Sequence, residues 1–421
     1  MVVLESLHKK TNHMGKSTYF IGQPIFSQLL FLLNKSKIHR ISQKTDSNRY
    51  IKRFDSYTHL VTMLYAVIGH FDSIREVVVG LLSNAHKLSH LGISYCAKRS
   101  TLSDANKRRS ATFFKEVYQS LYQHYRSSLS DSRTKSVYAN KLYVMDSTTI
   151  SLFKQILKGA GRNPKRGKKK GGLKAHTIIK YDENIPCLVR YTSAATHDHV
   201  LLKEVNLPQG SFITFDMGYV DYKVYQHFTD SQITYVTKMK SNTSYQSTEE
   251  FDIPDLADAG ILKDEQIVVR YGKNREFTHT SRRIAYWNSE HNKLEVFMTN
   301  NTELSAEDIV EIYRRRWVIE TLFKQLKQNF PLKYFLGDNV NAIEIQIWVT
   351  LIANLLFSVL KRRIKQRWAF SNMVTFVRIN LMSYIHLYEF LENPEKSWLA
   401  VQKAREKVPD MPLFDSQQAC F

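Results

Sequence analysis

Three carboxylates stand in settings suited to metal-assisted phosphoryl transfer. Asp146 closes the short apolar run KLYVMD, Asp216 closes a second run, SFITFD, and Glu320 lies within EIYRRRWVIETLFKQLKQNF among arginines, lysines, a tyrosine and a tryptophan. Hard oxygen donors in such a set suit Mg²⁺ or Mn²⁺, and two such ions about 3.5–4 Å apart stabilise both the attacking and the leaving oxygen. The expected site has Asp146, Asp216 and Glu320 converging within metal-bridging distance, with Asp146 placed to bridge two ions. Each acid alone is more commonly a cap or a solvated charge. It is their joint pattern that points to chemistry.

Read as one helix, residues 311–330 bring Tyr313, Arg316, Glu320 and Lys327 within about 60° of one another around the axis. Trp317 and Lys324 border that arc, while Val318, Ile319, Leu322, Leu326 and Phe330 gather on the far side, the pattern of a helix docked on a core. Arg316 with Glu320, or Glu320 with Lys324, also has the spacing of an ordinary surface pair. The basic segment GRNPKRGKKKGGLK at 161–174 follows the Asp146 strand and holds no acid. Its Arg162, Lys165, Arg166, Lys168, Lys169, Lys170 and Lys174 are expected to grip a DNA backbone without reading sequence. His176 and the pair His197 and Asp198 invite a zinc or acid–base reading that two-metal chemistry does not require.

The elements that must position these residues follow from periodicity. Residues 22–130 repeat apolar positions at helical spacing, as in SYTHLVTMLYAVIGHF and TFFKEVYQSLYQHY. Within them KRSTLSDANKRR, 98–109, offers Ser and Asp caps beside cations, and both a helix-turn-helix-like DNA reader and a plain bundle fit it. From about 138 short apolar runs take over. KLYVMD, LKAHTIIKYD, PCLVRYTS and SFITFD read as strands, the middle two around a turn at Glu183 and Asn184, and each aspartate is placed where a strand gives way to a loop. Between 240 and 305, EQIVVRY, TSRRIAYW and KLEVFMTN alternate as an all-β insertion, and helices return from 305. The expected domains are 1–135, helical and DNA-binding; 138–240 with 305–360, an α/β catalytic core; 241–304, the β-rich insertion; and 361–421, a helical region with a basic tail.

With 421 residues, 43% apolar and 12% aromatic, the chain has material for several cores, and 60 Lys plus Arg against 39 Asp plus Glu give a net charge of +21 that favours a polyanionic partner. Cys96, Cys187 and Cys420 are odd in number and far apart, which suggests free thiols in a reducing cytoplasm rather than a disulfide framework. The N-terminus lacks signal-peptide character. IQIWVTLIANLLFSVL, 345–360, is short for a membrane span and is interrupted by Gln346, Thr350 and Asn354, so it reads as a buried helix.

The spacing Tyr313-x2-Arg316-x3-Glu320-x6-Lys327 resembles the Y-R-E-K signature of bacterial DDE transposases of the insertion-sequence-four family. Asp146-Ser147-Thr148 and Asp216-x-Gly218-Tyr219 resemble that family's two aspartate boxes. The likeness spans roughly 138–360 and implies an RNase H-like catalytic domain interrupted by a β-rich insertion. It further implies two Mg²⁺ or Mn²⁺ ions on Asp146, Asp216 and Glu320, with Tyr313, Arg316 and Lys327 gripping phosphates near the cut. The implied reaction is cut-and-paste transposition through a hairpin, on double-stranded DNA ends and target, by a homodimer in the DNA complex and away from any membrane. Hairpin formation needs an aromatic shelf for an unstacked base, for which Trp317 and Trp287 are the candidates. Two other readings share these residues: a structure-specific nuclease on the same fold, and a transposase-derived DNA-binding protein without activity.

Overall fold

The computed structural model describes residues 22–130, 138–151, 161–162, 170–193, 199–252 and 260–396, with 399 and 402. Helices α1 (Ile25–Leu30), α2 (Lys35–Lys44), α3 (Ser56–Ile68), α4 (Ile74–Ser83), α5 (Arg99–Arg108) and α6 (Thr112–Leu129) account for the helical periodicity at the start of the chain. Their starts follow capping chemistry. Asp55 accepts from the amide of Thr58 at 2.7 Å to open α3, and Ser73 with Glu76 forms a reciprocal box at α4, in which Glu76 accepts from the amide of Asp72 at 3.0 Å. The caps expected in 98–109 are not used: α5 begins after Lys98 without a side-chain cap, and Asp104 lies inside the helix, paired with Arg108 at 2.8 Å.

The strands are β1 (Leu142–Ser151), β2 (Gly161–Arg162), β3 (Lys170–Lys180) and β4 (Ile185–Ser193), then α7 (His199–Leu202), β5 (Phe212–Phe215), α8 (Tyr222–Asp230), β6 (Thr234–Lys238), β7 (Tyr245–Glu250), β8 (Ile261–Tyr271), β9 (Phe277–Asn288) and β10 (Lys293–Thr299). The sheet runs β2-β3-β1-β5-β6-β10-β9-β8-β7, with β4 also paired to β3. β3 runs antiparallel to both of its neighbours β4 and β1, whereas β5 and β6 run parallel to β1. Alternate residues of β1 enter opposite cores: Val144 faces the large helical layer, and Met145 faces a second layer built on α7 and α8 with Phe215, Tyr225 and Phe228.

Two long-range contacts tie the expected segments together. The described residues of 241–304 are all strand or loop, and β10 pairs antiparallel with β6, so the segment lengthens the central sheet. The N-terminal helices likewise share one core with α9 (Ala306–Arg314), α10 (Trp317–Asn329), α11 (Val340–Arg363), α12 (Phe370–Ile379) and α13 (Leu387–Glu392), from Ile25 to Leu391. Periodicity shows which face of a helix is apolar, not which partner covers it.

α11 is the axis of that core. It is the one helix among the described residues long and apolar enough to cross a membrane, yet 89% of its most apolar window is buried inside the fold. Its polar interruptions are all satisfied. Gln346 accepts from the amide of Leu336 at 2.8 Å and donates to the carbonyls of Pro331 and Tyr334, Asn354 accepts from Gln325 at 2.8 Å, and Thr350 donates to the carbonyl of Gln346.

Candidate active site

β1 and β5 stay in parallel register from Leu142 opposite Phe212 to Met145 opposite Phe215, and there β5 ends. Asp216 follows at once and opens the short turn Met217–Tyr219. Asp146 occupies the next position on β1, which continues to Ser151 because β3 still pairs with it, Asp146 lying opposite Thr177. The expectation that both aspartates end their strands therefore holds for Asp216 only. Asp146 is in mid-strand, at the point where its parallel neighbour stops.

Residues 311–330 are not one helix. α9 ends at Arg314 and α10 begins at Trp317; across the join the amides of Arg316, Val318 and Ile319 donate to carbonyls three residues back, at Tyr313, Arg315 and Arg316. Neither glycine nor proline causes the break. Side-chain contacts on its two sides account for it. Tyr313 donates its hydroxyl to Asp216 Oδ1 at 3.3 Å, and Arg316 forks between Asp146 Oδ2 at 3.0 Å and Glu320 Oε1 at 2.7 Å. The ordinary Arg316–Glu320 pair thus exists, extended into a bridge to the sheet.

Tyr313 is buried against Phe297, with the Lys238 ammonium 5.2 Å from its ring. This corrects its expected place on an exposed face, because spacing around a helix reports direction but not depth. Burial pushes the Asp146 carboxyl up to about 6; Asp216 and Glu320 add to the shift, and the Ser147 amide and Arg316 oppose it. Burial likewise raises the Tyr313 phenol. Arg316 is held above its ordinary value although burial works against it, because Tyr313, Glu320 and Asp146 outweigh the desolvation.

Among the described residues no three His, Cys, Asp or Glu side chains are gathered closely enough to hold a metal ion. The expected convergence within metal-bridging distance is therefore corrected: the Arg316 guanidinium stands between Asp146 and Glu320, and Tyr313 engages Asp216. Three anions brought together repel, and these two donors relieve that repulsion. The donor chemistry nevertheless fits a hard divalent cation, since all three side chains are carboxylates.

Asp146 and Glu320, but not Asp216, open onto a groove of about 920 Å³ lined also by Lys324, Lys327, Lys333 and Tyr334, with His70 and Asp72 from the α3–α4 connection. His70, Lys333 and Tyr334 were not anticipated. Their signal was weak, since they lie in loops brought in by tertiary contacts, the 331–336 segment by Gln346. Trp317, the first residue of α10, is 64% exposed and Trp287, near the end of β9 opposite Leu294, is 39% exposed; neither lines the groove. Of the basic segment, Lys174 lies on β3 opposite Thr149, while Arg162 and Lys170 are described as strand backbone only. Lys165, Arg166, Lys168 and Lys169 fall outside the described residues, as do His197, Asp198 and Cys420. His176 is fully buried in the sheet with Nε2 2.7 Å from Thr192 Oγ1. Cys96 and Cys187 are free thiols.

Compared with known proteins, residues 139–356 match a family described as Transposase DDE domain, and residues 21–94 match a domain of unknown function, DUF4372. A Sinorhizobium fredii protein named as a transposase, y4zB, is 27% identical over 263 residues, covering 62% of this chain and 71% of its own length. A Synechocystis protein named as a transposase for insertion sequence element IS4SA is 26% identical over 273 residues, with the same coverage of 62% and 71%. Among solved structures, the piggyBac transposase synaptic complex with hairpin DNA aligns over 92% of this chain and 85% of that one, at 12% identity and a TM-score of 0.41.

Proposed function

Because the chain belongs to the transposases with a DDE domain, we propose that it moves an insertion sequence by cut-and-paste transposition, as a member of the insertion-sequence-four group, with Asp146, Asp216 and Glu320 as its catalytic acids. The observation that carries this reading is the contact chain in which Tyr313 reaches Asp216 while Arg316 spans Asp146 and Glu320, so that both strand-borne aspartates and three residues of the spaced signature meet beside one groove. The strand order β4-β3-β1-β5-β6, three antiparallel strands followed by two parallel to β1, supports an RNase H-like core. The all-strand run from β7 to β10 stands where that family carries its insertion.

Two Mg²⁺ or Mn²⁺ ions held by the three carboxylates would neutralise phosphate charge and lower the pKa of the attacking water. The chain's own groups do the rest. Arg316 gives up part of its bridge between Asp146 and Glu320 when DNA enters, and its planar fork then donates to a phosphate. Lys324, Lys327 and Lys333 line the same groove and hold the backbone on either side. Tyr313, buried beneath, keeps Asp216 oriented. Trp317 offers the exposed ring on which an unstacked base rests while the free 3′-hydroxyl attacks the opposite strand. The N-terminal helices read the transposon ends, and a homodimer brings two ends together.

The test is to incubate the purified chain and Mg²⁺ with a duplex carrying the inverted repeats that flank its gene. Nicks, then hairpins, then products joined to a second duplex are expected. Cleavage without joining would replace the reading by a nuclease, and binding without cleavage by an inactive relative.

A further inference from the structure

The turn between α11 and α12 carries the sequence KRRIKQR, 361–367, in which every residue but Ile364 is exposed. Lys361, Arg362, Lys365 and Arg367 line a second groove, of about 830 Å³, whose floor includes Trp368 and Gln325. Cations in the last turn of α11 complement the helix dipole, which is the ordinary reason for Lys361 and Arg362. That reason does not extend to Lys365 and Arg367, which lie beyond the helix end. Among the described residues no carboxylate forms an ion pair with Lys361, Lys365 or Arg367, and the acid of this groove, Glu183, is buried and already engaged by Lys180 at 3.3 Å.

The turn is also held firmly. Lys365 donates its amide to Glu392 Oε1 at 2.6 Å, the Trp368 indole donates to the carbonyl of Leu391 at 2.7 Å, and Arg362 Nη2 donates to the carbonyl of Leu129 at 3.0 Å. The charges are thus displayed on a surface fixed by hydrogen bonds.

This groove is not the one that holds the acids. Gln325 lies about 140° around α10 from Glu320, so the two grooves open on opposite sides of that helix. The second groove also abuts the β3–β4 turn at 181–184, whose Tyr181 amide bonds to Leu142 at the start of β1. Asp146 stands four residues further on, roughly 13 Å along the strand.

We propose that Lys361, Arg362, Lys365 and Arg367 form a second DNA-backbone grip that holds a duplex other than the one being cut. The proposal rests on the reading of the chain as a DNA transposase, in which a cut end must meet a separate target. A row of rigidly presented cations beside an open groove, of which Lys361, Lys365 and Arg367 meet no carboxylate among the described residues, matches a phosphate backbone, a contact that is indifferent to sequence.

The experiment uses the full chain with all four residues changed to Gln, and a second variant, Lys361→Gln with Lys365→Gln, at two exposed side chains whose loss removes no packing. Binding to a random-sequence duplex of about 40 base pairs is followed against salt; each lost phosphate contact lowers the slope by roughly 0.9, so the fourfold variant should fall by about 3 to 4 and the double by about 2. Nicking of an end duplex at saturating protein should be unchanged, while joining to a second duplex drops at least tenfold. Arg362→Lys with Arg367→Lys should keep the slope. An unchanged slope in both Gln variants would overturn the proposal, and so would equal loss of nicking and joining, which would assign the patch to the cut duplex. Loss of binding to phosphatidylserine vesicles with duplex binding intact would assign it to a membrane surface instead. A parent chain that neither binds nor cuts DNA would defeat the transposase reading itself, a result distinct from these.

Discussion

Asp146 shows what a strand residue discloses before its neighbours are known. The apolar run that ends in it marks a buried strand, and the structure has that strand as β1. Its mid-strand position came from β3, which pairs with β1 beyond the end of β5, and no local signal carries a partner's length. Tyr313 and Arg316 were legible as neighbours of Glu320, whereas the burial of Tyr313 depended on Phe297, which lies on β10. Trp317 and Trp287 were the two shelf candidates; both rings are exposed, Trp317 the more so. A large ring left 64% open three residues before Glu320 has little packing to lose and a stacking surface to offer. Trp317→Ala should therefore retain first-strand nicking but form hairpins about tenfold more slowly, in line with a stacking contribution of roughly 1–3 kcal/mol. Trp287→Ala should change neither. Denaturing gels that separate nicked from hairpin products make the comparison, and normal hairpin formation by the Trp317 variant would remove that residue from the mechanism.

At the scale of elements, the helix carrying Glu320 was read from its period as continuous, and the break between α9 and α10 arises from contacts to two strands that the period does not contain. α11 was read correctly as a buried helix. The role of its Gln346 was hidden, because its partners are backbone groups, which leave no mark in sequence. That side chain makes three hydrogen bonds to the 331–336 segment, from which Lys333 and Tyr334 reach the groove. Gln346→Ala strands a buried amide and two carbonyls and should cost about 2–4 kcal/mol of stability. It should also weaken duplex binding as the groove wall loosens. Urea unfolding alongside anisotropy measures both, and a midpoint equal to the parent's would show that the segment holds its place without Gln346.

At the scale of the whole molecule, strand alternation correctly marked β8, β9 and β10 but not their destination, since pairing of β10 with β6 is a long-range choice. The shared core of the N-terminal helices and α11 was hidden for the same reason. What these long-range choices accomplish is to bring Asp146 and Glu320, far apart in the chain, to one groove, with Arg316 spanning them and Tyr313 on Asp216, and the central claim is that this groove cuts DNA. The most direct test is Glu320→Gln, which removes one carboxylate charge while keeping side-chain size and a hydrogen-bonding oxygen for Arg316. With Mg²⁺ present, nicking of the end duplex should fall by about a thousandfold or more, while duplex affinity stays within about twofold of the parent's. A Glu320→Gln chain that still nicks at the parental rate would show that Glu320 is only the salt-bridge partner of Arg316, and would contradict the site.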